Sequence, residues 1–273
     1  MKKLFSIVLI GTLLFGSYSC ENNKETAPEI PPYESMAIDF SQFTTKAAGD
    51  TTQLNYVSAG LTVFVWNVML TGTLVVPVAA FAHSFQYEPE YMGDATWEWK
   101  YDVTGFVNTF KARMVGKIIS DVVQWEMYIS KEGIDPHEEF LWFEGTSNLA
   151  GDGGQWIIYH SYALQVPVLQ IDWEKTGDEV GNIQYTYIRE SDNGDQSQLT
   201  AGSYLTYGLT DNYFNAFYNI QFSNRSAPAE TKTVNIEWST TEYYGRIKAP
   251  HYFQGDNNWH CWDNTGYDMV CTE

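Results

Sequence analysis

Four segments of the chain place a carboxylate between apolar or aromatic residues. Glu98 and Glu126 lie in the sequences WEW and QWEM, and Asp172 and Glu237 lie in QIDW and NIEW. Side chains of an extended strand alternate between two faces, so each acid points away from its aromatic neighbours. An in-register band of these acids could serve a metal or acid–base chemistry. Because the same segments carry no catalytic partner, the pattern favours a solvated outer face.

Other chemistry-bearing residues follow no known catalytic or metal-binding spacing. The five histidines are scattered, and the sequence holds no HExxH motif, no paired CxxC, no nucleophile elbow and no phosphate-binding loop. We therefore predict no catalytic residue, no metal site and no cofactor. The best candidate for binding is the polar–aromatic tail, in which Trp259, His260 and Trp262 surround Cys261, because binding residues concentrate in loops that a rigid scaffold holds.

The charge balance argues against nucleic acid as a partner. The 273-residue chain carries 15 Lys and Arg against 34 Asp and Glu, a formal net charge of −19. A phosphate backbone is bound largely through Lys and Arg, which an acidic protein supplies poorly.

The first twenty residues read as an export signal. Lys2 and Lys3 precede an uncharged run from Leu4 to Gly16, which is short for a membrane span, and Cys20 is followed at once by polar residues. This start resembles a bacterial lipoprotein signal of the Bacteroidota type. The resemblance implies a signal peptide over residues 1–19, acylation of Cys20 with palmitate or similar chains, and a cell-envelope location. It implies a lipoprotein anchored in the outer membrane, on its periplasmic or its outer side.

The cysteine count agrees with a lipoprotein in the cell envelope. The chain has three cysteines, an odd number for an exported protein. With Cys20 bound to lipid, Cys261 and Cys271 remain as an even pair, and an oxidising compartment would allow a disulfide between them.

The mature chain divides into a tether and one domain. Residues 20–50 contain Pro28, Pro31 and Pro32 and predict a lipidated, semi-extended spacer, of which Met36 to Phe43 could dock on the body. The domain, residues 51–273, opens with a stretch from Thr51 to Tyr87 that carries no charge. Its pattern favours a long buried helix, kinked or ended near Pro77, with a membrane helix and β-strands as alternatives.

From residue 96 onward the hydrophobic period changes to two. About eleven strands separated by short polar turns predict an antiparallel meander, a curved sheet or barrel that packs on the apolar helix. This plan resembles lipocalin-like barrels in architecture alone, and architecture does not transfer a function.

Two functions suit this plan. The first is a non-enzymatic envelope lipoprotein that binds an apolar or amphipathic ligand, such as a lipid, in the curved sheet. The second is a surface module that binds a glycan or a protein through aromatic loops. A sheet interior filled by the protein's own side chains would favour the second.

Overall fold

The computed structural model describes residues 26–43, 53–104, 108–190, 201–223 and 231–271. The predicted signal peptide and Cys20 lie outside the described residues.

The body is a single antiparallel sheet in which each strand pairs with the next along the chain. Among the described residues its fourteen strands follow the order β1 to β14 without a crossover, and the first and last of these strands do not pair. The mainly β meander is therefore confirmed, with three more strands than expected and an open seam. The strands are β1 Glu90–Gly93, β2 Thr96–Thr104, β3 Thr109–Ile119, β4 Val122–Glu132, β5 His137–Asn148, β6 Gly153–Tyr159, β7 Pro167–Thr176, β8 Glu179–Tyr187, β9 Tyr204–Leu209, β10 Ala216–Phe222, β11 Lys232–Trp238, β12 Gly245–Lys248, β13 His260–Trp262 and β14 Asp268–Met269.

Tryptophan and glycine alternate across the concave face of the first strands. In register, Trp97 of β2 faces Gly116, which faces Trp125, which faces Gly145, which faces Trp156 of β6. A Cβ built on Gly145 would lie 2.3 Å from the Trp156 ring, so the indole occupies the space that a side chain would need. Because glycine has no side chain, three tryptophans and two glycines fit together in one row of a curved sheet.

Residues Leu54–Ser84 form α1, a helix of 31 residues. The predicted helix is thus confirmed and the strand alternative is wrong, but the helix is buried on one face alone, since Leu61, Val68 and Val75 are more than half exposed. Pro77 lies inside the helix and does not end it. By length and composition α1 could span a membrane, since its most apolar stretch has a mean hydropathy of 1.8, and 33% of that stretch is buried in the protein.

The helix lies at the open seam and touches both margins of the sheet. It packs against β12, β13 and β14 on one side and against β2 on the other. Near its start the Asn55 amide donates to the Cys261 carbonyl oxygen at 2.8 Å, and near its end the Tyr101 hydroxyl donates to the Ala80 carbonyl oxygen at 2.7 Å. Side-chain packing of α1 thus takes the place of strand pairing at the seam.

Part of the segment expected as a tether packs on the concave face. Trp156 Nε1 donates to Ser35 Oγ at 3.1 Å, and the Tyr185 hydroxyl donates to the Met36 carbonyl oxygen at 3.3 Å. Phe43 meets Trp238 edge to face, with ring centres 5.1 Å apart. The docking expected for Met36 to Phe43 is present, and it begins earlier, because Ala27 and Ile30 also pack against the core. Residues 26–43 and α1 thus both pack on the concave side.

Candidate functional site

A cleft of about 930 Å³ opens on the outer face of the sheet, at the ends of β9 to β14. Three turns border it, those joining β9 to β10, β11 to β12 and β13 to β14. Because the meander is antiparallel, alternate turns lie at the same end of the sheet, and this places residues 210–215, 239–244 and 263–267 side by side. A cleft of this size lies in the range of small-molecule sites.

The first two turns are bonded to each other. The Asn215 side-chain amide donates to Thr240 Oγ1 at 2.9 Å, and the Thr240 backbone N–H donates to Asn215 Oδ1 at 2.9 Å. Within the second turn, Ser239 Oγ accepts from the backbone N–H of Glu242 at 3.0 Å. These bonds hold the rim of the cleft in one arrangement, which lowers the conformational entropy lost when a ligand binds.

An ion pair forms the floor of the cleft. Arg246 of β12 donates through Nε to Glu237 Oε2 at 2.8 Å, and its Nη2 lies 2.6 Å from the same oxygen. The Arg246 guanidinium carbon also lies 4.6 Å from the ring centre of Phe214 and 4.3 Å from that of Trp259. Both rings lie within cation–π distance of the guanidinium and help to hold it in place.

Tyrosines from two turns form an exposed aromatic platform at the rim. The rings of Tyr213 and Tyr244 stack at 4.6 Å with an 18° angle between their planes. A hydrogen bond between the two hydroxyls raises the pKa of Tyr244 above its ordinary value. Tyr213 is 72% exposed, so one face of the platform is open to a ligand.

The third turn is organised by Asp263. Its carboxylate accepts from the Thr265 hydroxyl at 2.7 Å and from the backbone N–H groups of Thr265 and Tyr267 at 2.8 and 3.0 Å. These bonds, led by the one from Thr265, lower the pKa of Asp263, which keeps the group ionised. Among the described lining residues, Glu237, Glu242 and Asp263 outnumber Arg246, so the cleft is acidic.

The three residues predicted for binding have different positions. Trp259 covers Arg246 beside the cleft. Trp262 lines the cleft but is only 1% exposed, and its Nε1 donates to the Tyr243 carbonyl oxygen at 3.1 Å. His260 stacks on Phe253 with ring centres 3.6 Å apart, and its Nε2 lies 3.4 Å from Asp256. Of the three, Trp262 lines the cleft, Trp259 lies beside it against Arg246, and His260 packs elsewhere.

The predicted disulfide is present, with Cys261 and Cys271 Cα atoms 5.2 Å apart. It ties the end of the described chain to β13 beside the cleft.

Sequence reasoning missed Tyr213, Phe214, Tyr244 and Arg246. The first two lie in the pattern DNYFN, and Tyr244 lies in TEYYG; both are exposed-turn sequences with adjacent aromatics. A pair of adjacent aromatic residues inside a polar turn could have indicated this site, because a turn has no buried face that would hold the rings.

The four acidic strands place their carboxylates on the outer face, as predicted, although Glu98 is buried there and not solvated, being 9% exposed. Glu98 and Glu126 share a row, separated by Val115, while Asp172 and Glu237 lie in two other rows. Their partners also differ: Glu98 pairs with Lys100 and Arg113, Asp172 accepts from Gln155 and Gln170, and Glu237 pairs with Arg246. Within the described ranges no three Asp, Glu, His or Cys side chains are grouped to hold a metal.

A second, apolar groove of about 350 Å³ runs between α1 and the segment from Tyr33 to Phe40. Leu70, Leu74 and Val78 of the helix line it, with Ile38 opposite and Tyr185 behind. It is open to solvent along α1, and no ionisable side chain other than tyrosine lines it among the described residues.

In comparisons with known proteins, no family model, curated protein or solved structure matches the chain.

Proposed function

We propose that this protein is a non-enzymatic envelope lipoprotein that binds a neutral or amino-bearing glycan in the cleft on the outer face of the sheet. The observation that carries the proposal is the open platform of Tyr213 and Tyr244 above the Glu237–Arg246 pair. The concave side of the sheet is occupied by α1 and residues 26–43, and the groove left beside the helix is smaller than the outer cleft, about 350 Å³ against about 930 Å³, which supports an outer-face ligand.

The platform suits the apolar face of a sugar ring. The C–H groups of a pyranose carry a small positive charge, and the face of an aromatic ring is negative, so the two stack. Below the platform the carboxylate and guanidinium can accept from and donate to ring hydroxyls. Apolar walls with a few placed polar groups are typical of small-ligand sites.

The acidic lining selects the charge of the ligand. Glu237, Glu242 and Asp263 repel sulfated or uronic-acid sugars and favour neutral or amino sugars. The net charge of −19 for the whole chain acts in the same direction.

Hydrolysis is not supported by this arrangement. Glu237 is engaged with Arg246, whereas a glycosidase needs a second carboxyl that is held protonated for acid catalysis. The cleft therefore suits binding without turnover.

The proposed lipid anchor and envelope location rest on the amino-terminal sequence. The disulfide between Cys261 and Cys271 supports it, because disulfides persist in oxidising compartments. Acyl chains on Cys20 would hold the chain at the outer membrane.

A glycan array probed with the purified chain tests the binding proposal. We expect the wild-type chain to bind neutral or amino glycans, and Tyr213→Ala to give a signal at least tenfold weaker. Loss of the Tyr213 ring should leave the fold intact, because the ring is largely exposed. Tyr162→Ala is the matched control, since Tyr162 is exposed in a turn at the opposite end of the sheet. A chain that binds no glycan, or equal binding by Tyr213→Ala and wild type, would refute the proposal.

The groove beside α1 supports a second candidate, an apolar or amphipathic ligand such as a fatty acid. Its lining is aliphatic and aromatic over most of its surface, and its volume of about 350 Å³ admits part of an acyl chain.

A further inference from the structure

The outer face of α1 is an exposed apolar stripe. Leu54, Leu61, Val68 and Val75 are between 53% and 60% exposed, and Phe64 and Val65 are 48% and 40% exposed. The opposite face of the helix packs on the sheet, with Val63, Trp66 and Leu70 at or below 4% exposure. Helices of globular proteins ordinarily present polar residues on the face turned away from the core.

The stripe has the spacing of a helix–helix seam. Leu54, Leu61, Val68 and Val75 are each seven residues apart, and Phe64 and Gly72 lie between them at three or four residues. Apolar residues at a and d positions of a seven-residue repeat are the pattern by which one helix packs along another.

We infer that the stripe is covered by the same stripe of a second copy of this chain, with the two α1 helices antiparallel about a two-fold axis at Val68. In this arrangement Val68 meets its own counterpart, and Leu61 lies opposite Val75 of the second copy. Phe64 lies opposite Gly72, and a Cβ built on Gly72 finds no atom within 4 Å, so open space receives the phenyl ring. The largest residue of the stripe thus meets the smallest, and aliphatic residues of similar size meet elsewhere, as a self-complementary interface allows.

The charges favour a second copy over a lipid surface. No charged residue occurs from Thr51 to Tyr87, so two helices meet without like charges although each chain carries a net charge of −19. A helix that lies in a bilayer surface usually has Lys or Arg along its polar margin. The margins of α1 supply none, and an acidic body is repelled by anionic headgroups.

The contact area is sufficient for a specific dimer. A helix of 31 residues is about 46 Å long and about 11 Å wide, so its outer face offers roughly 500 Å² per copy. Two copies bury roughly 1,000 Å² in total, which is about the lower bound for a specific interface.

Sedimentation of the full chain with Cys20→Ser, which prevents the proposed lipidation, tests the dimer over a hundredfold concentration range. We expect a monomer–dimer equilibrium that Val68→Lys weakens at least tenfold, because two ammonium groups then meet at the axis. Gly72→Leu should weaken it as well without adding charge, since it fills the space for Phe64. Ile134→Lys, at an exposed apolar position in the turn after β4, is the control and should leave the dimer unchanged.

Circular dichroism and thermal unfolding would establish that each variant folds. A wild-type chain that is monomeric at every concentration overturns the inference, and so does a dimer that both stripe variants leave intact. Binding of the monomer to phosphatidylethanolamine–phosphatidylglycerol vesicles, lost in Val68→Lys, would assign the stripe to a bilayer and also overturn it. The glycan cleft lies on the sheet's outer face and shares no residue with the stripe, so none of these results decides the proposed glycan binding.

Discussion

Single residues determine how this sheet curves. Trp125 lies in register between Gly116 and Gly145, and both glycines leave room for indole rings. The sequence predicted the alternation of aromatic and polar residues within each strand. It did not predict which glycine each tryptophan covers, because register between strands depends on turn lengths and bulges as well as on pattern.

Gly145→Ala should destabilise the protein by about 2–3 kcal/mol, as expected for overpacking. The new Cβ would lie 2.3 Å from both the Gln155 carbonyl oxygen and the Trp156 ring, so backbone or indole must move. Urea unfolding followed by tryptophan fluorescence measures the change.

Gly60→Ala is the control for this substitution. Gly60 lies within α1 and a Cβ there meets no atom within 4 Å. Alanine favours the helix, so a gain of about 0.5–1 kcal/mol is expected. Equal effects at the two glycines would contradict the role given to the tryptophan–glycine row.

At the scale of the element, α1 depends on a distant strand for its first turn. Gln53 precedes the helix and makes no side-chain capping bond. The Asp268 carboxylate of β14 instead accepts from the backbone N–H groups of Leu54 and Asn55 at 3.2 and 2.9 Å. The uncharged stretch predicted the helix, whereas this cap lies more than two hundred residues away and no local capping signal reveals it.

Asp268→Ala should cost about 1–2 kcal/mol of stability, because two N–H groups lose their acceptor and the positive end of the helix dipole loses an anion. Thermal unfolding measures the loss. Asp268→Asn keeps one oxygen acceptor without the charge and should show a smaller loss. If both variants unfold at the wild-type temperature, β14 does not cap the helix.

At the scale of the whole molecule, the chain closes its sheet with a helix in place of a hydrogen-bonded seam. Hydrophobic period and turn chemistry predicted the meander and its single helix. They did not predict β1, β13 and β14, because these strands are only two to four residues long and show no clear alternation.

The cleft was beyond prediction for a different reason. Tyr213 and Tyr244 are thirty-one positions apart, and their stacking follows from the pairing of β10 with β11 and of β11 with β12. Trp259 was predicted because it stands beside a cysteine in a polar tail. Arg246, against which Trp259 packs, was missed because the sequence around a single arginine in a strand does not show which side chain contacts it.

Hydrogen–deuterium exchange across the whole chain, with and without the strongest glycan from the array, tests most directly where the ligand lies. We expect slower exchange in the turns at 210–215, 239–244 and 263–267, and no change in residues 26–43 or α1. A parallel exchange experiment with palmitate tests whether an apolar ligand binds in the groove beside α1. Protection by the glycan confined to α1 and residues 26–43, with the three turns unchanged, would contradict the account of an outer-face binding site.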